Sequence, residues 1–384
     1  MKFAAHWALY PKSYTVHRVP DGVRLIDMID GDLTKEVWNH AAPWSAPFGD
    51  IQGKDGPIEP IPALTQFKAL YDDSYLYIGA IIHPSPDIPA TEAHFTHRND
   101  PIFQKDSDFE VFIDVTGCNH QYKEFEINAI NTSWNLLLDK PYTDGGMEHS
   151  GRIAKPGDPM FYDVQYQKTA VRILEGAVNN PEKGQALWSV EMAFAYKDLF
   201  VRIPGSDSAS DQKAAASPRP PQLGDFWRIN FSRVEKKGDI NWTWQPQVVW
   251  KPDAHSFKGI IDMHAPDAFG YFQFAGGRHD EADQEPRRDP TWPLRLAAMN
   301  IYYAQRAFSE KNDRRFASTL GQLEPFINFS IVEPFEVHLF VDDQQYVALV
   351  RSVEESKVAT VTQDRLLKIQ EWQGDPQSTI AVTR

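Results

Sequence analysis

A single cysteine, Cys118, is all the 384-residue chain holds, so it forms no internal disulfide and builds no cysteine-rich metal site. Nothing in the sequence then depends on an oxidising compartment. There is no run of about 18 apolar residues, the length a membrane-spanning helix needs. The opening residues, MKFAAHWALYPKSY, lack an unbroken apolar stretch and a small-residue cleavage site, so no signal peptide is read there. As it stands the chain reads as cytoplasmic, or as secreted should a leader precede it. Basic charge is scarce: 39 Lys and Arg stand against 53 Asp and Glu, a net charge of −14. Phosphate backbones require the opposite balance, so neither nucleic acid nor a membrane surface is an expected partner. No G-x-S-x-G elbow, H-E-x-x-H pair, P-loop or Gly-rich strand-to-helix turn occurs, which leaves the common hydrolase and nucleotide-binding classes without support.

Aromatics are plentiful instead. Eleven Trp, 14 Tyr and 23 Phe make up 12% of the chain. Most belong in a core, where aromatic side chains dominate burial, and a few exposed ones would suit stacking on a flat apolar ligand face.

Residues 1–275 read as an all-β unit. The runs FKALY (67–71), YLYIGAIIH (75–83), DFEVFIDV (108–115), YKEFEINAI (122–130), WSVEMAFAY (188–196), FWRINFSRV (226–234) and GYFQF (270–274) are β-branched and aromatic, and turn residues bound them. Many short strands with turn-rich connections predict an antiparallel β-sandwich of immunoglobulin or jelly-roll type. Low-complexity residues 205–221 read as a surface insertion, and the charged, Pro-containing stretch 276–292 as a linker. Residues 293–372 read as a small α+β appendage: a helix with Ala297, Ile301, Ala304 and Phe308 on one face, then a β-meander, followed by a tail over 373–384. A scaffold role, in which this appendage binds a protein partner, is one alternative function.

The series IDGDLTKEVWNHA (29–41), FKALYDDSYLYIGAII (67–82), RNDPIFQKDSDFEVFIDVTG (98–117), YKEFEINAINTSWNLLLDKPYTDGG (122–146), WSVEMAF (188–194), GDFWRINFSRVE (224–235), NWTWQPQ (241–247) and MHAPDAFGYFQF (263–274) resembles, in this order, the family 9 carbohydrate-binding module and its wider family 9-like domain. The resemblance covers most of residues 15–275. It implies a sandwich that binds oligo- or polysaccharides of the glucan or xylan kind in carbohydrate catabolism, often attached to glycoside hydrolases, with structural Ca²⁺. It further implies that Asn241 pairs with Trp244 in sugar binding, that Phe103 precedes an acidic strand, and that Glu110 and Arg98 join the site. Asp72, Asp73, Asp106 and Asp108 resemble the family's oxygen-rich calcium turns, although two adjacent carboxylates supply only part of the six to eight oxygens that Ca²⁺ takes.

Residue chemistry adds further candidates. Sugars present apolar C–H faces and a rim of hydroxyls, so a site needs an aromatic plate and planar polar groups. Trp134 is a second candidate plate, placed after a strand and before a turn. Strand alternation puts Glu124, Glu126 and Asn128 on one face of YKEFEINAI, and Arg228, Asn230 and Ser232 on one face of WRINFSR. Adjacent in one sheet, these rows would hydrogen-bond hydroxyls; apart, they are an ordinary solvated face. A saccharide-active enzyme is the rival reading, with Glu124, Glu126 or Glu110 as acid and base. The His94–His97 pair is a weak metal signal, and Met263 beside His264 is discounted as a haem pair because adjacent strand residues face opposite sides.

Overall fold

The computed structural model describes residues 3–57, 61, 63–203, 218–276, 287–342, 344–354 and 356–381. Most of the expected insertion and linker, residues 204–217 and 277–286, lies outside the described residues.

The sandwich is built from β1 (Ser13–Arg18), β2 (Thr65–Tyr71), β3 (Tyr75–Ile82), β4 (Asp108–Asp114), β5 (Tyr122–Asn128), β6 (Ser133–Leu138), β7 (Lys168–Glu175), β8 (Leu187–Ala195), β9 (Phe226–Glu235), β10 (Ile240–Thr243) and β11 (Gly270–Phe274). One layer runs β6-β5-β4-β9-β11-β1, with β10 pairing the far end of β9. The other runs β1-β2-β3-β8-β7. The expected mainly-β sandwich is therefore present, with one addition that the sequence did not announce. Strand β1 joins both layers, pairing β11 through Ser13–Val16 and β2 through His17 and Arg18, in parallel each time. Parallel pairing needs a long crossover, which residues 19–64 provide before β2 begins.

Alternation then sorts the side chains. Phe109, Val111, Ile113, Phe125, Ile127, Ile229, Phe231 and Phe272 of the first layer meet Phe67, Leu76, Ile78, Val190, Met192 and Phe194 of the second in one buried core. The opposite face of the first layer carries Asp108, Glu110, Phe112, Glu124, Glu126, Arg228, Asn230 and Ser232, all buried as well. Something other than solvent covers that face.

Part of the cover is the C-terminal unit. Helix α1 (Trp292–Lys311) has Pro293 in its first turn, and its Ala297, Ala298 and Ala304 are wholly buried. These small residues let it lie close against the meander β12 (Glu336–Val341), β13 (Tyr346–Arg351), β14 (Lys357–Thr362) and β15 (Leu367–Glu371), whose pairings are antiparallel throughout. Helix, meander and Tyr271 of β11 share one apolar cluster. Arg365, in the turn between β14 and β15, forms ion pairs with Asp144 at 2.8 Å and Asp267 at 3.1 Å, tying the meander to two sandwich loops. No described helix is long and apolar enough to cross a membrane.

Candidate functional site

The part of the outer face over β4 and β5, away from the C-terminal unit, is acidic, and strand register makes it so. Glu110 of β4 stands opposite Glu126 of β5, Phe112 opposite Glu124, and Asp108 opposite Asn128. Ser232 of β9 flanks Glu110, and Trp134 of β6 flanks Glu126. With a side-chain period of two, four carboxyl groups are forced onto one small patch. An open groove of about 490 Å³ lies over it, floored by Glu110, Glu124, Glu126 and Phe112. Its walls include Phe103, Asn241, Tyr142, Ile261, Met263 and His264.

The aromatic walls are braced from behind. Phe103 stacks on the buried Trp134 with ring centroids 5.2 Å apart and planes inclined by 24°. Tyr142, 42% exposed, meets the His264 ring edge-on at 4.6 Å. His264 is held by the Tyr122 hydroxyl at 3.1 Å from Nδ1, with Nε2 3.9 Å from Glu124. Asn241 accepts a short hydrogen bond from the Ser232 hydroxyl, which places its amide at the groove's edge.

Among the described residues no lysine or arginine forms an ion pair with Asp108, Glu110, Glu124 or Glu126; the nearest such contact is His264 to Glu124. Burial pushes the Glu110 carboxyl up to about 7. Burial, then the neighbouring Glu110 charge, raises Glu124 and Glu126 well above the usual range, and Asp108 rises for the same two reasons. Burial alone drops His264 to about 4. At neutral pH the patch therefore retains protons, and its carboxyls can donate as well as accept hydrogen bonds.

A hard cation would neutralise the same patch. One oxygen from each of Asp108, Glu110 and Glu126 lies within 4.8 Å of the others, and both Asp108 oxygens are buried without a hydrogen-bond donor. Such an all-oxygen set fits Ca²⁺ or a similar ion, with at most six protein oxygens on offer.

Several sequence expectations require correction. Trp244 is not an exposed plate: it is 1% exposed and packs inside the sandwich, edge-on to Phe67 at 5.2 Å and to Phe231 at 6.0 Å. Trp134 lies within β6 rather than after a strand, and serves as backing for Phe103. Asn230 spends its amide on Gln245 and on the Phe231 N–H, and Asn128 spends its own on Phe95, Asp106, Ile130 and Thr132. Neither is left for a ligand. Arg98 is a loop clasp, bonded to Asp163, Ser133 and Val164 and absent from the groove. Arg228 lies under α1 instead of beside Glu124.

Three of the four calcium candidates also have other work. Asp72 accepts the N–H groups of Ser74 and Tyr75 and the Tyr77 hydroxyl, while Asp73 pairs with Arg18 at 2.6 Å. Asp106 accepts from His94, Phe95 and Asn128. Only Asp108 remains, with partners the sequence did not assign it. Sequence reasoning missed Tyr142 and His264. Met263 and His264 lie outside any strand, so both reach the groove, contrary to the alternation argument. An aromatic in the Pro–Gly turn after β6 was the one available signal for Tyr142.

No protein-family model matches the chain, and no curated protein matches it. Among solved structures, it is similar to a family 9 carbohydrate-binding module from Caldicellulosiruptor kristjanssonii in complex with cellotriose, at 15% identity and a TM-score of 0.37, over 72% of this chain and all of that one. A family 9 carbohydrate-binding module from the same organism in complex with glucose matches at 15% identity and a TM-score of 0.37, over 71% of this chain and all of that one. A Bacteroides uniformis protein provisionally named as carbohydrate-binding matches at 14% identity and a TM-score of 0.44, over 69% of this chain and all of that one.

Proposed function

We propose that the protein binds carbohydrate in the groove over β4 and β5. The observation that carries this reading is the line of Glu110, Glu124 and Glu126 on the floor beneath the braced Phe103 and the exposed Tyr142. Aromatic faces stack on pyranose C–H surfaces, and carboxyl groups that both donate and accept match the paired needs of sugar hydroxyls. Asn241 at the edge adds an amide of the same kind. The ligand class would be a glucan or xylan oligosaccharide of plant type, bound by the protonated, ion-free floor; Ca²⁺ at Asp108, Glu110 and Glu126 would displace those protons and leave only acceptors, a change that the chelator arm below reads.

Calorimetric titration with glucose, cello-oligosaccharides and xylo-oligosaccharides, with and without a chelator, tests this. Phe103→Ala and Tyr142→Ala should each weaken binding about fivefold or more, since stacked aromatics contribute roughly 1 kcal/mol beyond burial. Unchanged affinity in both variants sinks the groove as the site.

A second reading, acid–base chemistry on a glycosidic bond, is favoured by one observation. Glu110, raised to about 7, sits beside Glu124 and Glu126, also raised, in the range where a general acid works. Product release from a polysaccharide, abolished by Glu110→Gln, would establish it; sugar binding without turnover would dismiss it.

A further inference from the structure

A separate cavity lies where α1 meets the sandwich, about 90 Å³ in volume and walled by Leu9, Trp250, Phe257, Leu296 and Met299. Among the polar side chains that line it, Asp267 and Arg295 are already ion-paired with Arg365 and Asp289, and two others, Asn300 and Arg228, are incompletely satisfied. Asn300, 1% exposed, accepts the Asn328 N–H at 2.8 Å through Oδ1, but its Nδ2 is buried without an acceptor. Arg228, 4% exposed, donates through Nη2 to the Asp267 carbonyl at 2.7 Å and the Pro266 carbonyl at 3.4 Å. Its guanidinium lies 4.3 Å over the Tyr271 ring and 5.6 Å from that of Trp292, so the group is fixed in place. Its Nη1 is buried with no acceptor.

The charge of Arg228 also lacks a partner. The Asp114 carboxylate, on the neighbouring strand, is taken by the N–H groups of Thr116, Gly117 and Asn119. Asp267 is held by Arg365 and the Tyr303 hydroxyl, and Asp289 by Arg295. Among the described residues no carboxylate forms an ion pair with Arg228. A buried cation without a counter-charge is costly, and water answers its hydrogen bonds but not its charge.

We propose that this cavity binds a small organic anion, a short-chain carboxylate of about six heavy atoms, the number of water-sized groups the space admits. The carboxylate meets the free donors of Arg228 and Asn300, and the hydrocarbon part lies against Leu296, Met299 and Trp250. Charge-assisted bonds to a guanidinium give the selectivity for an anion.

The test is calorimetric titration of the full chain with butyrate and with its neutral counterpart, butyramide. One saturable site for butyrate is expected, with butyramide at least about tenfold weaker, the difference one charge-assisted contact makes. Leu296→Trp fills the space while keeping the guanidinium and should abolish butyrate binding, whereas Glu110→Gln, in the other groove, should leave it intact. No saturable binding of butyrate at tens of millimolar, equal binding of butyramide, undiminished binding by Leu296→Trp or loss in Glu110→Gln would each overturn the proposal. Should Leu296→Trp fail to fold, the butyrate–butyramide comparison on the wild-type chain decides alone.

Discussion

Glu110 and His264 border one groove and titrate in opposite senses. The Glu110 carboxyl rises from its ordinary 4.5 to about 7, so the folded chain holds a proton that the unfolded chain has released. Its contribution is complete below pH 4.5 and is lost as pH climbs through 7, at most about 3 kcal/mol. His264 falls from 6.5 to about 4, so the unfolded chain takes the proton first and stability is lost as pH falls from 6.5 toward 4. Asp108, Glu124 and Glu126 share the direction of Glu110 and outnumber the histidine. Stability measured by urea unfolding should therefore decline between pH 4.5 and 7. Glu110→Gln should flatten the decline and His264→Asn should steepen it. Slopes indistinguishable from wild type in both would refute the assignment of these protons.

At the scale of elements, strands that alternate cleanly were legible and strands that depend on a distant partner were not. DFEVFIDV and YKEFEINAI announce β4 and β5 because their apolar residues share one parity, and that same parity placed Glu110, Glu124 and Glu126 together. β1 is six residues long and has meaning only through its pairing with β11 and β2, which lie far along the chain. α1 was legible from its apolar stripe, but nothing in the stripe says that it shares an apolar cluster with Tyr271 or that its first turns border Arg228. The indole of Trp244 shows how local pattern misleads. β11 offers Gly270 beneath that ring, where a Cβ would collide with it and would stand 2.9 Å from the Lys12 carbonyl. The missing methyl is what admits Trp244 to the interior. Gly270→Ala should cost about 1–3 kcal/mol by overpacking, and Trp244→Ala about 3–5 kcal/mol by leaving a cavity. Thermal denaturation reads both. Sugar affinity of the folded fraction should be unaltered in each, and a specific loss of affinity in Trp244→Ala would restore that residue to the site.

Over the whole molecule, the C-terminal unit acts as the second cover of a sheet already covered once. Arg365 fastens it, buried and paired with Asp144 and Asp267. Arg365→Met leaves two buried carboxylates with less compensation, and breaking such pairs typically costs about 3–5 kcal/mol. Limited proteolysis should then cut within residues 312–381 well before the sandwich, while the wild-type chain resists at both places. Equal resistance would mean that the apolar cluster around α1 holds the unit without the ion pairs. The two sandwich layers are in a different position, because β1 is stitched into each of them with no break in its backbone. Neither sheet can slip along the other without tearing a hydrogen-bonded seam, so under load or heat they are bound to yield as a single body.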